Sequence, residues 1–539
     1  VDDRIKDIIQ QSGKLFEKRA PLHNLWQSFA EQFYVERADF TVDRQIGKDF
    51  ASHLTSSYPL LARRDLGNSI SAMLRPTATP WFNMKPAQET DSHDAKLFLE
   101  DSVIAMRNAM YDTHSGFVRA TKEADHDFVT FGNCVISVEL DYHYNRLMYR
   151  CWHLRDVAWT EGYNKRVQDI YHKIKMCVRE INTLFKGNIS TKLKQLMEKD
   201  PYAEVTIMRA ILDSKYYESS EKKTNAPYMS VYFECDGGHI LEESPSFNQV
   251  YIIPRWQTVS GSQYAFSPAT VAALPDARLF QDMLLTLLEA GQKSVNPPHA
   301  VVQDAIRGDF NQYAGGLIYL DADYDQRTGD VISPLQMGNN IPLGIDMANM
   351  TREAIHQAFF LNVLNLPQAM SGTTAYEVSQ RIKEYIRGAL PLFEPMETEY
   401  NGALCDMTFD VMMRAGAFGN NIPEELSGQS VQFHFISPLH DAVESQKSMV
   451  FQQARGVIAE TMALDPKAGN MLKAGVALED TLYALGVPAK WLHDREEVEA
   501  MNAQQEQMAA VQQQMQMMQQ GAEAGKSIGE AGQALRGGM

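Results

Sequence analysis

The sequence predicts a mainly α protein that carries a β-rich module, an α+β chain. Three observations predict it. Apolar residues recur at helical spacing through the first 131 positions, the period changes to alternation between about 133 and 256, and helical spacing returns from 276. At 539 residues the chain can hold two to four domains.

The elements follow in order. Within 3–36, Ile5, Ile8, Leu15, Leu25, Trp26, Phe29 and Phe33 keep helical intervals, with Pro21 as a boundary or kink. A second helix is expected at 59–75, where Leu66, Ile70, Met73 and Leu74 share a face before RPTATP stops it. A third is expected to run from 92 to 131 through Phe98, Val103, Met106, Met110, Phe117 and Phe128. The alternating runs CVISVELDY and LMYRCW flank the turn-like Tyr144-Asn145 and predict a hairpin. Strands are expected at 167–178, 229–235 and 249–256, with one short helix within 181–200.

From 276 to 295 a stripe of Phe280, Leu284, Leu287 and Leu288 predicts a helix ended by Asn296-Pro-Pro. Residues 297–342 are turn-rich and short-stranded, and 343–362 is a further helix with Met347, Ala348, Ile355, Ala358 and Phe359 on one side. Helix, excursion and helix together form a hairpin-like protrusion. The longest periodic element spans Tyr376 to Arg414, kinked by Gly388, Pro391 and Pro395. The strand VQFHFIS and a helical set at 441–485 follow. Met501, Met508, Val511, Met515 and Met518 then step like a heptad seam in a Gln/Met-rich tail. That tail is either a disordered low-complexity end or a helix that orders only beside copies of itself.

Composition narrows the function classes. Sixty-eight acidic against 50 basic residues give a net charge of −18, without the basic face of a protein that grips nucleic acid. Moderate acidity keeps a protein soluble; it also makes a wall that phosphates pass without sticking. No apolar run is long enough for a membrane span, VDDRIKDIIQ is no signal peptide, and an intracellular, soluble protein is expected. The five cysteines form no CxxC pair and are expected to be free thiols.

Glu123, Asp125, His126 and Asp127 are the densest polar cluster, as a metal nuclease would need. On a helix only Glu123 and Asp127 share a face, so a solvated charged turn is the preferred reading. His434 and His440 lack a third ligand nearby. With no P-loop, no GxGxxG after a strand and no GxSxG elbow, no enzyme and no cofactor is expected. Ser371-Gly-Thr-Thr reads as a flexible loop or a helix N-cap region.

Several segments, in order, resemble the portal (head-to-tail connector) proteins of short-tailed, double-stranded DNA phages. They are Arg64-DLGNSISAMLRPTATPWFNM, Phe131-GNCVISVEL, Ser262-QYAFSPATVAALPDARLFQDM, Lys293-SVNPPHAVV and Gly372-TTAYEVSQRIKEYI. The last is similar to the family's signature before its long helix, with Thr374, Tyr376, Glu377, Val378 and Arg381 as matching positions. The resemblance implies a phage portal fold with wing, stem, clip and crown, assembled as a ring, usually a dodecamer. By segment it implies a wing over 1–275, a first stem helix at 276–296, a clip at 297–342 and a second stem helix at 343–362. A tunnel loop at 363–375, a kinked wing helix and strand at 376–440, crown helices at 441–495 and a barrel-forming or disordered tail at 496–539 complete it.

It further implies a virion protein, assembled in the host cytoplasm, through which double-stranded DNA is packaged and ejected. The implied partners are the major capsid protein and scaffold, the terminase large subunit, and tail adaptor or tail tube proteins, with no membrane. Asn362, Asn365, Gln368, Ser371 and Thr373 would border DNA. Asp304, Arg307, Asp309, Tyr313 and Arg327 would form the clip's docking surface. One departure stands out: Val363-LNLPQAMSGTTA carries no charged residue, so a cationic grip at that loop is not expected. The rival readings are an internal core or scaffold-type assembly protein and, from the 123–127 cluster alone, a metal-dependent nuclease.

Overall fold

Helices at the start of the chain form where the sequence supplies a start signal and an apolar stripe. Helix α1 (Asp3–Lys18) and helix α2 (Ala20–Phe33) are separated at Arg19, with Pro21 in the first turn of α2 where its missing N–H costs nothing. Helix α3 spans Tyr58–Leu74. The computed structural model describes residues 3–43, 47, 49–77, 79–86, 93–141, 144–217, 226–301, 332–334, 341–364, 395–419, 422–426, 431–435 and scattered positions between 454 and 511.

The expected single helix over 92–131 is two, α4 (His93–Met110) and α5 (Phe117–Phe131), with strand β1 (Phe82–Pro86) before them. Its stripe continues across a real break. Ser115 Oγ donates to Met110 O at 2.5 Å and Asp112 O at 2.8 Å, and Tyr149 N–H donates to Ser115 O at 2.8 Å, pinning the turn to the neighbouring sheet.

The hairpin forms as expected from β2 (Val135–Asp141) and β3 (Arg146–Trp152), with Asn145 in the left-handed region at φ 50°. β9 (Tyr251–Ile252) pairs with β2 on its other side; it is far shorter than the expected 249–256 strand. A five-stranded antiparallel sheet runs in the order β4 (Val157–Glu161), β5 (Val167–Cys177), β6 (Glu204–Asp213), β7 (Tyr228–Glu234) and β8 (Ile240–Ser246). The single helix expected within 181–200 is also two, α6 (Val178–Leu184) and α7 (Thr191–Lys199), the second capped by Ser190.

Strand alternation decides which face meets what. Tyr171, Ala210 and Val231 stand in one register row and pack with Ile5 and Ile8 of α1. The next row, His172, Arg209 and Tyr232, faces the three-stranded sheet. There His172 Nδ1 bonds Tyr251 Oη at 2.8 Å, Arg209 pairs with Glu139, and Trp152 meets His172 edge-on at 4.4 Å. α6 and α7 bury Val178, Ile181, Phe185 and Leu193 with Ile207 and Leu241. The opposite face of the three-stranded sheet takes α5, where Phe117 packs on Tyr149 at 5.0 Å.

Helix α8 (Pro268–Val295) begins earlier than the expected 276. Pro275 does not end it, because the first turns are held from outside. Ser267 caps the helix and bonds Val129 O at 2.5 Å, and Thr270 Oγ1 bonds Thr130 O at 2.8 Å. β10 (His299–Val301) and β11 (Ile332–Pro334) pair antiparallel, and α9 (Ile341–Ala358) and α10 (Leu361–Leu364) follow. A π-helical turn at Glu397–Gly402 leads into α11 (Ala403–Arg414).

Apart from β1 after Phe82 and α4 before Ala105, these elements belong to the larger of two compact units, residues 1–82, 105–418 and 435–439. The smaller unit, 83–104, 419–434 and 440–539, pairs β1 with β12 (Val431–Phe435) and buries Met84, Leu99, Val103 and Leu426. Of the helical set expected at 441–485 and the heptad tail, only scattered helical positions are among the described residues. All five cysteines are free. Among the described residues no helix is long and apolar enough to cross a membrane.

Candidate functional site: a helical pair and a buried joint

α8 and α9 lie side by side and run in opposite directions. Thr351 Oγ1 meets Met283 Sδ at 3.9 Å, and Gly344 sits against Leu287. The β10–β11 pair continues the hairpin beyond the helices, so the helix–excursion–helix reading holds at its base. Both helices expose large apolar side chains. Leu288 is 57% exposed, Leu343 60% and Met350 73%, with Leu285 and Met347 beside them.

At its lower end α9 stops abruptly. Phe359 is buried against Phe33 with rings 5.3 Å apart, and Phe360 takes a left-handed φ of 55°, strained for a bulky side chain. α10 then lies beside a cavity of about 560 Å³ lined by Tyr58, Asp65, Asn68, Arg352, His356 and Leu361. Arg352 stacks 4.9 Å over the Tyr58 ring. Asn362 is exposed on α10. The other residues expected to border DNA (Asn365, Gln368, Ser371, Thr373), the signature positions (Thr374, Tyr376, Glu377, Val378, Arg381) and the clip residues (Asp304, Arg307, Asp309, Tyr313, Arg327) lie outside the described residues.

Where the chain re-enters at the π turn, three consecutive side chains are anchored to three different elements. Glu399 takes Arg255, with contacts of 3.2–3.4 Å to its backbone and guanidinium N–H groups. Tyr400 Oη donates to Asp125 Oδ1 at 2.8 Å. Asn401 accepts from Arg75 Nη1 at 2.6 Å and donates to Leu74 O at 3.4 Å. Arg75 also pairs with Asp125 and stacks 4.5 Å over the Tyr400 ring. A π turn inserts one extra residue into a helix, which turns neighbouring side chains toward partners an unbroken α-helix would not reach. Of the kinked helix expected over 376–414, residues 376–394 lie outside the described residues, and the described part carries the π turn just after Pro395.

The acidic cluster is not a solvated turn. Residues 123–127 lie within α5, and the Asp125 and Asp127 side chains are each 1% exposed. Asp127 is gripped by Arg37 through bonds of 3.0 and 2.9 Å, and by the Cys151 thiol at 3.8 Å. His126 Nδ1 meets Arg63 Nη1 at 3.0 Å. Burial, then the Arg63 charge, lowers the His126 pKa to about 4, so this nitrogen accepts a hydrogen bond from the Arg63 guanidinium. Exposed Glu123 pairs with Arg119. Each carboxylate thus already has its own arginine, an arrangement that packs helices together; among the described residues no group of three or more ligands could hold a metal. Gly67 shows why α3 is rich in small residues: a Cβ there would meet His126 Nδ1 at 2.4 Å.

Sequence reading missed Arg37, Arg75, Tyr400 and Asn401. Tyr400 falls within the periodic element expected over 376–414, and Arg75 opens the RPTATP stop signal. The only signal was arginine placed next to a buried helical face.

A family model described as "Bacteriophage head to tail connecting protein" matches residues 5–492. The chain belongs to that family. The "Probable portal protein" of Bordetella phage BPP-1 is 25% identical to this connector over 456 residues, covering 81% of this chain and 79% of that one. Among solved structures, a chain from the "Virion of native gene transfer agent (GTA) particle" gives a TM-score of 0.37 at 9% identity, covering 75% of the connector and 90% of that chain. A chain from the neck of an empty GTA particle gives 0.35 at 10%, covering 74% and 90%.

Proposed function

We propose that this connector is the subunit of a portal ring, a structural, non-enzymatic virion protein at one capsid vertex through which double-stranded DNA is packaged and ejected. The family match over residues 5–492 carries the reading. The name of the Bordetella phage relative agrees with it. The exposed apolar face of α8 and α9 adds a physical reason: in a closed head-to-tail ring each subunit has two different contact faces, and a neighbour supplies the missing burial.

In this reading α8 and α9 are the stem helices, the excursion between them the clip, and 363–375 the tunnel loop. The wing comprises 1–275 with 376–440, the crown 441–495, and the Gln/Met tail is either a barrel helix inside the capsid or a disordered end. The clip docks the terminase large subunit and later the tail adaptor and tail tube proteins, while the wing meets capsid protein and scaffold. Terminase supplies the ATP chemistry. A ring of about twelve copies, each at −18, carries roughly −200 charges before counterions, which keeps contact with phosphates weak. The uncharged 363–375 loop fits a channel in which DNA slides.

Electron microscopy of the purified chain tests this. Discrete rings with an axial hole are expected; filaments, or monomers at every concentration, would refute the portal in favour of an internal core or scaffold protein.

A further inference from the structure

Four buried polar atoms in one neighbourhood of the larger unit make no hydrogen bond: Arg19 Nε, His23 Nε2, Trp26 Nε1 and the Tyr264 hydroxyl. Arg19, His23 and Trp26 are spaced i, i+4 and i+7, one face of the start of α2. The His23 and Trp26 rings stack at 5.8 Å, and Tyr264 meets Trp26 edge-on at 5.9 Å and Trp159 at 4.5 Å. Arg19, only 2% exposed, reaches into the 154–157 turn and donates to the carbonyls of Leu154, Arg155 and Val157. Its charge is felt at His23.

Their donor and acceptor types are complementary, but these atoms do not reach one another with hydrogen-bond geometry. Arginine Nε–H and indole N–H only donate. Burial, then the Arg19 charge, lowers the His23 pKa to about 4, leaving a neutral ring whose Nε2 can accept. The Tyr264 hydroxyl can do either. Two obligate donors, one acceptor and one group of both kinds form the partner set of a water molecule, which accepts two hydrogen bonds and donates two. Native proteins rarely leave such groups bare, and buried water is their usual partner.

We infer that this neighbourhood encloses ordered water joining α2, the turn before β4 and the 263–264 stretch. These segments are already in register: Gln263 Nε2 donates to Trp159 O at 2.9 Å, and Trp159 Nε1 donates to Gln263 O at 3.2 Å. The water completes the joint between the helical layer and the edge of the five-stranded sheet. The other orphan atoms differ in setting. Arg75 Nε and Asp125 Oδ2 belong to a pair already bonded through its other atoms, and His356 lines the open cavity beside α10.

Tyr264→Phe removes the hydroxyl and little else. If the cluster is hydrated, the variant loses one partner of the water and melts several degrees lower; if dry, it loses an orphan group and melts at the same temperature or higher, which overturns the inference. A high-resolution density map of the unmodified protein is the second measurement. A peak ~2.7–3.2 Å from at least three of the four atoms is expected, and an empty site refutes the water. Melting in sodium chloride and in sodium gluconate at equal ionic strength separates water from a halide that takes protons from all the donors. Equal midpoints are expected, and a chloride-specific rise overturns the assignment.

Discussion

Replacing Asp125 with alanine isolates the joint that holds the π turn. The Arg75 and Asp125 side chains are 3% and 1% exposed, so neither can turn to solvent when its partner is lost. Burial pushes the Arg75 pKa down, and the neighbouring Asp125 carboxylate, with Tyr400 beside it, brings it above its ordinary value. Without Asp125 the guanidinium stays charged, keeps only the neutral Asn401 oxygen, and leaves the Tyr400 hydroxyl without an acceptor. Breaking one side of a buried pair costs about 3–5 kcal/mol. Tyr400→Phe, which removes one hydrogen bond to a charged group, costs about 1.5–3 kcal/mol. Arg75→Met with Asp125→Leu removes both charges together and recovers most of the loss, because no buried ion is then uncompensated. Denaturant unfolding of Arg75→Met, Asp125→Leu and the double variant gives the coupling, provided the slope with denaturant is unchanged. An Asp125→Ala cost below about 1 kcal/mol, or a double variant as unstable as the sum of the singles, would refute the account.

Further predictions follow from the same structure. Gly132→Ala is expected to destabilise by well over 1 kcal/mol, since φ is +75° and a Cβ would meet the Phe266 carbonyl carbon at 2.2 Å; a melting curve like the wild type's would contradict it. Incubation with DNA and Mg²⁺ or Mn²⁺ should leave the DNA intact, while Asp127→Ala lowers stability by stranding Arg37; cleavage that the variant abolishes would restore the nuclease reading. Burial, then the Arg209 charge, lowers the His172 pKa to about 3, as burial and Arg63 lower His126 to about 4. Both rings are neutral in either state above pH ~6.5; below it the unfolded chain takes protons that the folded chain refuses. Stability should therefore fall as pH drops from ~6.5 toward ~4, with a shallower fall in His172→Gln, and a flat profile of urea midpoints would count against it. Leu288→Glu with Met350→Glu should abolish rings in light scattering and microscopy while leaving the monomer's melting temperature unchanged, because both side chains already face solvent.

What the sequence determined by itself is what local periodicity encodes. The helical stripes, the 135–152 hairpin with its left-handed Asn145, and the Asn296-Pro-Pro stop were legible because each depends on neighbours within a few positions. The ordered family segments were legible too, since they are strings of residues. Tertiary structure decided the rest. Only packing could break the 92–131 stripe at Ser115, which is tied to Tyr149 across a sheet, or carry α8 through Pro275 by fastening its first turns to α5. Nor could spacing reveal that Asp125 and Asp127 are buried, because their arginines, Arg75 and Arg37, lie 50 and 90 residues away. A carboxylate's role depends on what charge reaches it in space, and that distance is set by the fold.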